Sequence, residues 1–161
     1  MENKNDYVSS VKELPYAPSL IFQKLQDLRN FDKLREAFTN PTYANMISAQ
    51  IGEDKAKKVA SAIGSVTCTQ DSISAPTPIG NISLQIVDCE EPKCIKFEGQ
   101  GAPVPTTAWV QLLPKGEGGA LLRVTLRAEL NFFLRKMMDS KLNSAVEQVA
   151  DMLARLPYNV L

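Results

Sequence analysis

The apolar and polar positions of this chain follow different periods in different stretches. Over residues 131–156, Leu134, Met138, Leu142, Ala145, Val149, Leu153 and Leu156 recur at steps of three and four. That spacing draws one apolar stripe along a helix. Arg135, Lys136, Asp139, Asn143, Glu147, Asp151 and Arg155 fall mostly on the other side. The pattern predicts one long amphipathic helix. Before it, from residue 65 onward, the period is two. Val66, Cys68 and Gln70 begin a strand that Ile73 and Ala75 continue after a bend, until Pro76 and Pro78 interrupt it. Residues 81–89 set Ile82, Leu84 and Ile86 against Asn81, Ser83 and Gln85. The turn Glu90-Glu91-Pro92-Lys93 leads to Ile95 and Phe97, which alternate with Lys96 and Glu98. Gly99 and Gly101 mark a bulge or bend. Residues 106–113 form another strand. After the turn from Pro114 to Gly119, residues 121–130 place Leu122, Val124, Leu126, Ala128 and Leu130 opposite Arg123, Thr125, Arg127 and Glu129. Such alternation predicts antiparallel strands with one buried and one wet face.

The first part of the chain is more mixed. Residues 1–6 read as a loose polar tail and residues 7–14 as a first strand. Pro15 and Pro18 end that strand and open a helix bearing Leu20, Ile21, Leu25 and Leu28. Phe31, Leu34 and Phe38 continue as a second short helix or turn, which Asn40-Pro41 breaks. Residues 42–63 read as one or two further helices punctuated by Gly52 and Gly64, with Met46, Ile47, Ile51, Val59, Ala60 and Ile63 turned inward. The charged run from Asp54 to Lys58 is a solvated helix face, too short to argue for a phosphate or headgroup site. The predicted class is therefore α+β: a curved antiparallel sheet wrapped around a long C-terminal helix. The dry face of the sheet needs a cover, and that helix carries the long apolar stripe able to supply it.

At 161 residues, with 44% hydrophobic and 22% charged residues, the chain is expected to form one globular domain. Lys plus Arg and Asp plus Glu both number 18, so no global field draws nucleic acid or an anionic membrane. No apolar run is long enough to span a bilayer, and the polar start shows no secretion signal. The expected setting is the cytoplasm. Three cysteines do not make a disulfide framework. Histidine is absent. This removes Ser-His-Asp and Cys-His catalysis, the commonest base near neutral pH and the usual ligand of catalytic zinc. No metal or other cofactor is expected.

Three stretches carry a resemblance to a known family. They are Leu14-Pro15-Tyr16-Ala17-Pro18 running into Ile21-Phe22-Gln23-Lys24-Leu25, the hairpin from Ile86 through Pro92 to Gly99, and Val110-Gln111-Leu112-Leu113-Pro114 through Gly118-Gly119. Over roughly residues 7–156 the chain resembles the START/SRPBCC superfamily, the helix-grip fold of polyketide cyclase-like proteins, lipid-transfer domains and a branch associated with carbon monoxide dehydrogenase. The resemblance implies a cavity between sheet and helix for a small hydrophobic molecule or lipid. Residues 42–63 are longer and more helical than the usual connection, so a lid over the cavity mouth is one reading of them. The family rhythm turns Ala108, Val110 and Leu112 inward and Trp109, Gln111 and Leu113 outward.

The remaining chemistry is sparse. Cys89 and Cys94 flank a turn and read as ordinary strand-end cysteines, with a reversible disulfide as the alternative. Arg123 with Arg127, and Lys96 with Glu98, read as cross-strand surface pairs worth about 0.2–1 kcal/mol each, with an anion contact at the rim as the alternative. Trp109 reads as packed under a loop; left exposed, it would mark a partner surface or a homodimer contact. Met137, Met138 and Met152 read as core or as an adaptable pocket lining. Gly116-Glu117-Gly118-Gly119 is a hairpin turn without the features of a phosphate loop.

The preferred reading is a binding or transport protein rather than an enzyme. Its expected ligand-lining residues are Leu84, Ile86, Ile95, Phe97, Val110, Leu112, Leu122, Val124 and Leu126 on the sheet, with Met138, Leu142, Ala145 and Val149 on the helix. The alternatives are a cyclase- or dehydratase-type enzyme using Glu98, Asp71 or Tyr43, and a partner-binding module of the co-chaperone or assembly kind.

Overall fold

The computed structural model describes residues 4–64, 66–77, 80–100, 105–156 and 158. Its elements are β1 (Lys4–Val8), β2 (Lys12–Leu14), α1 (Pro18–Leu25), α2 (Arg29–Thr39), α3 (Pro41–Ile51), α4 (Glu53–Gly64), β3 (Thr67–Cys68), β4 (Ser72–Thr77), β5 (Gly80–Glu90), β6 (Cys94–Gln100), β7 (Thr106–Lys115), β8 (Gly119–Glu129) and α5 (Phe132–Arg155). The strands form one antiparallel sheet in the order β1-β8-β7-β6-β5-β4-β3, with β2 also on β8. The later strands each pair with their sequence neighbour, as short turns require. In the β7–β8 turn Gly116 and Gly118 sit at φ 60° and 78°, a region costly for other residues. Asn131 caps α5 by accepting the Leu134 N–H at 2.8 Å, and Asn40 caps α3 through the Thr42 N–H at 3.0 Å.

Several boundaries differ from the sequence expectation. Lys4 to Asp6 belong to strand β1 rather than to a loose tail. The single first strand is split in two. Ser9 is buried at the break, donates its N–H to Val124 O at 2.9 Å, and accepts the Val124 N–H on its hydroxyl at 3.0 Å. That hydroxyl replaces the carbonyl the interruption removes from the ladder. β3 and β4 are a hairpin and not one bent strand, with the Thr69 N–H bonded to Ser72 O at 2.9 Å. Pro76 lies within β4, opposite Asn81. The register shift falls between Ile86 and Asp88, whereas Gly99 sits in regular pairing opposite Leu84; Gly101 and Pro78 lie outside the described residues.

The inner face of the sheet carries the core. Ile95, Leu112 and Leu122 are sealed there with Phe22, Ile21 and Leu25 of α1 and with Leu34 of α2. A second cluster joins Tyr7, Ala128 and Leu130 to Met138, Leu142 and Val146 of α5. In the stretch 42–63, Ile47 and Ala56 enter the main core, Ile51 packs against it half-buried, and Met46 is exposed instead of turned inward. The inward placements expected for Val59, Ile63, Ile82 and Phe38 lie outside the described side chains.

Candidate ligand-binding site

The floor of the site is a row across the sheet. Ile86 of β5 pairs with Phe97 of β6, Phe97 with Ala108 of β7, Ala108 with Leu126 of β8, and Leu126 with Tyr7 of β1. Residues paired in this way share a face, so all five point inward. The next row toward the α5 N-terminus holds Ile73, Leu84 and Gly99, and there Thr106 pairs with Ala128. The middle of this region is built from Gly99, Ala108, Thr106 and Ala128, and larger side chains flank it. Phe97 and Ala108 are buried, whereas Ile73, Leu84, Ile86 and Leu126 stay half-buried although they pack on the core. Met152 of α5 and Tyr16 before α1 are half-buried in the same cluster. Ile95, Val110, Leu112, Leu122 and Val124 are buried on the neighbouring rows, so they back the floor.

Helix α5 is held to one side of this floor. It packs on β8, β1, β2 and α4. Along the β1–β2 edge its contacts are polar. Tyr7 donates its hydroxyl to Asp139, and burial with this carboxylate pushes the phenol pKa up to about 12. Lys12, which shares the inward face with Leu122, pairs with Glu147 and, at 2.7 Å, with Asp151. The Ser10 N–H and hydroxyl also reach Glu147, at 2.8 and 2.7 Å. Lys12 and these Ser10 donors hold the Glu147 carboxyl down to about 2. Asp139, Glu147 and Asp151 lie eight and four residues apart on the helix; the sequence pattern puts this acidic row on the polar side of α5 without a partner, and the structure sets it against the β1–β2 edge. The seam closes the β1–β2 side with one ammonium and several neutral donors set against three carboxylates; the half-buried apolar side chains of β4 and β5 lie on the other side.

The buried face of α5 differs from the expected stripe. Met138 and Leu142 face inward as expected, but Val146 and Ala150 continue the row. Ala145 is only half-buried, and Val149 is 42% exposed, so Val149 does not face the sheet. Met137 is exposed too.

No protein-family model matches the sequence, and no curated protein matches it significantly. Solved structures do match the fold. Norcoclaurine synthase from Thalictrum flavum aligns over 94% of this chain and 85% of its own at 8% identity, with a TM-score of 0.61. A START superfamily protein from Mycobacterium smegmatis aligns over 94% of both chains at 13% identity and a TM-score of 0.56. A protein from Thermus thermophilus, TTHA0849, aligns over 93% of this chain and 94% of its own at 14% identity and a TM-score of 0.55. The chain has a START-type helix-grip fold. At these identities the likeness is one of architecture alone.

Within the START-type fold the other predicted candidates are placed on the outside. Glu98, Asp71 and Tyr43 are exposed, away from the inward rows. Trp109 points outward as expected, and Arg127 covers it: the guanidinium carbon stands 5.2 Å from the ring centroid. Arg127 also pairs with Asp6 at 2.7 Å, and Arg123 donates to Gln111 at 2.8 Å, so both serve the outer sheet surface rather than an anion at the rim. Cys89 pairs with Ile95 and Cys94 with Glu90, which puts the two thiols on opposite faces and leaves both free. Cys68 is on the inner face beside Ile73, and burial first, with Asp32 second, pushes its thiol up to about 11. Among the described residues no three of Cys, Asp and Glu gather as metal ligands.

Proposed function

We propose that this protein binds or carries a small hydrophobic or amphipathic molecule between the sheet and α5, in the cytoplasm. The observation that carries this reading is the row Ile86-Phe97-Ala108-Leu126, in which half-buried apolar ends flank a small central side chain. Apolar ligand surface laid there would gain about 25 cal/mol per Å² removed from water. Lys12, a charged residue on the inward face, is occupied by Glu147 and Asp151, so the chemistry of the site favours an apolar body over an anion. The ligand-lining set we propose is Leu84, Ile86, Phe97, Leu126 and Met152 around Ala108. Residues 42–63 form the lid of this site: α4 packs on both α2 and α5.

An enzyme is the second reading, because norcoclaurine synthase, a protein of this fold, has been solved in complex with dopamine and hydroxybenzaldehyde. Here the phenol nearest to such a role, Tyr7, is held protonated by burial and Asp139, which opposes base catalysis near neutral pH.

Native mass spectrometry of the purified protein, with solvent extraction, tests the carrier reading. A discrete mass that leaves on denaturation is expected. Ala108→Phe should fold, at an overpacking cost of about 1–3 kcal/mol, and lose that mass. A folded Ala108→Phe protein that keeps the same ligand at the same occupancy would place the site elsewhere.

A further inference from the structure

At the start of α5, Leu134 packs on the second cluster, and the side chains around it face solvent. Phe132, Phe133 and Met137 are 70%, 69% and 54% exposed. Arg135 and Lys136 are exposed with them, so nearly every side of this first turn and a half faces solvent. Large apolar side chains grouped in this way mark a contact surface. The charge around them has one sign. Lys136 lies with its ammonium 4.7 Å from the Phe132 ring centroid, and Lys141 is exposed one turn further on. Among the described residues no ion pair engages Lys136 or Lys141, while Arg135 stands near enough to the Tyr7–Asp139 pair to act on the Tyr7 phenol. Asp139, the acidic residue of this stretch, is turned to the Tyr7 hydroxyl. Glu129, before the helix, sits opposite Lys4 in the sheet. A chain of zero net charge therefore carries a local basic and aromatic projection.

We infer that this end of α5 docks on an anionic lipid bilayer. Phe132, Phe133 and Met137 would enter the headgroup–acyl boundary while Lys136 and Lys141 meet the lipid phosphates and carboxylates. A second copy of the chain fits less well, because a symmetric contact would press these cations against each other. The inference rests on exposure and charge and stands apart from the carrier reading.

The test is co-sedimentation of the full chain with vesicles of phosphatidylcholine alone or mixed with phosphatidylserine. Binding is expected only with phosphatidylserine, and it should weaken at high salt. Phe132→Ser with Phe133→Ser should lower it by about tenfold or more. Lys136→Gln should lower it by about fivefold. These are exposed positions, so circular dichroism and any co-purified ligand should not change. Wild-type protein that stays in solution with phosphatidylserine vesicles overturns the inference, as does equal binding by the double variant. A lipid-free dimer that the double variant dissolves would assign the surface to a second copy instead.

Discussion

Tyr158 is wholly buried and its hydroxyl donates to Leu153 O at 2.5 Å, which ties the chain after α5 back onto the helix end. Its ring meets Tyr16 edge to face at 5.6 Å between centroids. Burial pushes its phenol upward, with Tyr16 adding to the effect. Tyr158→Phe keeps the ring contact and strands a buried carbonyl, so we expect a loss of about 1–3 kcal/mol in urea unfolding with the slope unchanged. An unchanged midpoint would mean that Leu153 O finds another donor. Trp109 shows a similar pairing at the surface, where an outward indole is made tolerable by the guanidinium of Arg127 above it.

Helix α5 shows how an element settles between two nearly equivalent faces. Ala145 and Val149 fit a three-and-four spacing as well as Val146 and Ala150 do, since a helix turns about 100° per residue. The observed roll brings Asp139, Glu147 and Asp151 over the β1–β2 edge, where Tyr7, Ser10 and Lys12 bind them. Rolled that way, Val149 faces solvent. The depressed pKa of Glu147 sets a pH signature. A carboxyl held to about 2, below its usual 4.5, adds stability above pH 4.5 that is lost as pH falls toward 2. Glu147→Gln should be less stable at neutral pH and show a shallower fall in stability across that acid range in thermal melts. A variant with the wild-type acid slope would show that the seam does not hold the helix.

For the molecule as a whole, the helical stretch 42–63 is the part that departs most from a plain sheet-and-helix grip. Its Ile47 and Ala56 lie in the main core, and α4 bridges α2 and α5. If it is the lid, hydrogen exchange across α3 and α4 should slow, together with the sheet rows that hold Ala108 and Leu126, when the native ligand extracted from the protein is added back. Slowing confined to the sheet would leave these helices a purely structural role. No helix among the described residues is long and apolar enough to cross a membrane, so the bilayer contact inferred for α5 is a surface one.

Local periodicity by itself determined the succession of the later elements from β5 to α5, the inward faces of β7 and β8 and the sheet-and-helix class. Period two and period 3.6 are properties of neighbouring residues, and they leave their mark directly on the order of side chains. The tertiary structure alone decided the roll of α5, the break at Ser9, the register shift after Ile86 and the split of the inner face into sealed and half-buried positions. The register shift falls between near neighbours in the β5–β6 hairpin, but the others depend on partners far away in the chain. Glu147 meets Ser10 and Lys12 across more than a hundred residues, and Ser9 meets Val124 across 115. The same holds for Phe132 and Phe133: their residue type predicts burial, and only the way the helix packs, with Leu134 and Met138 turned to the sheet, leaves them in water.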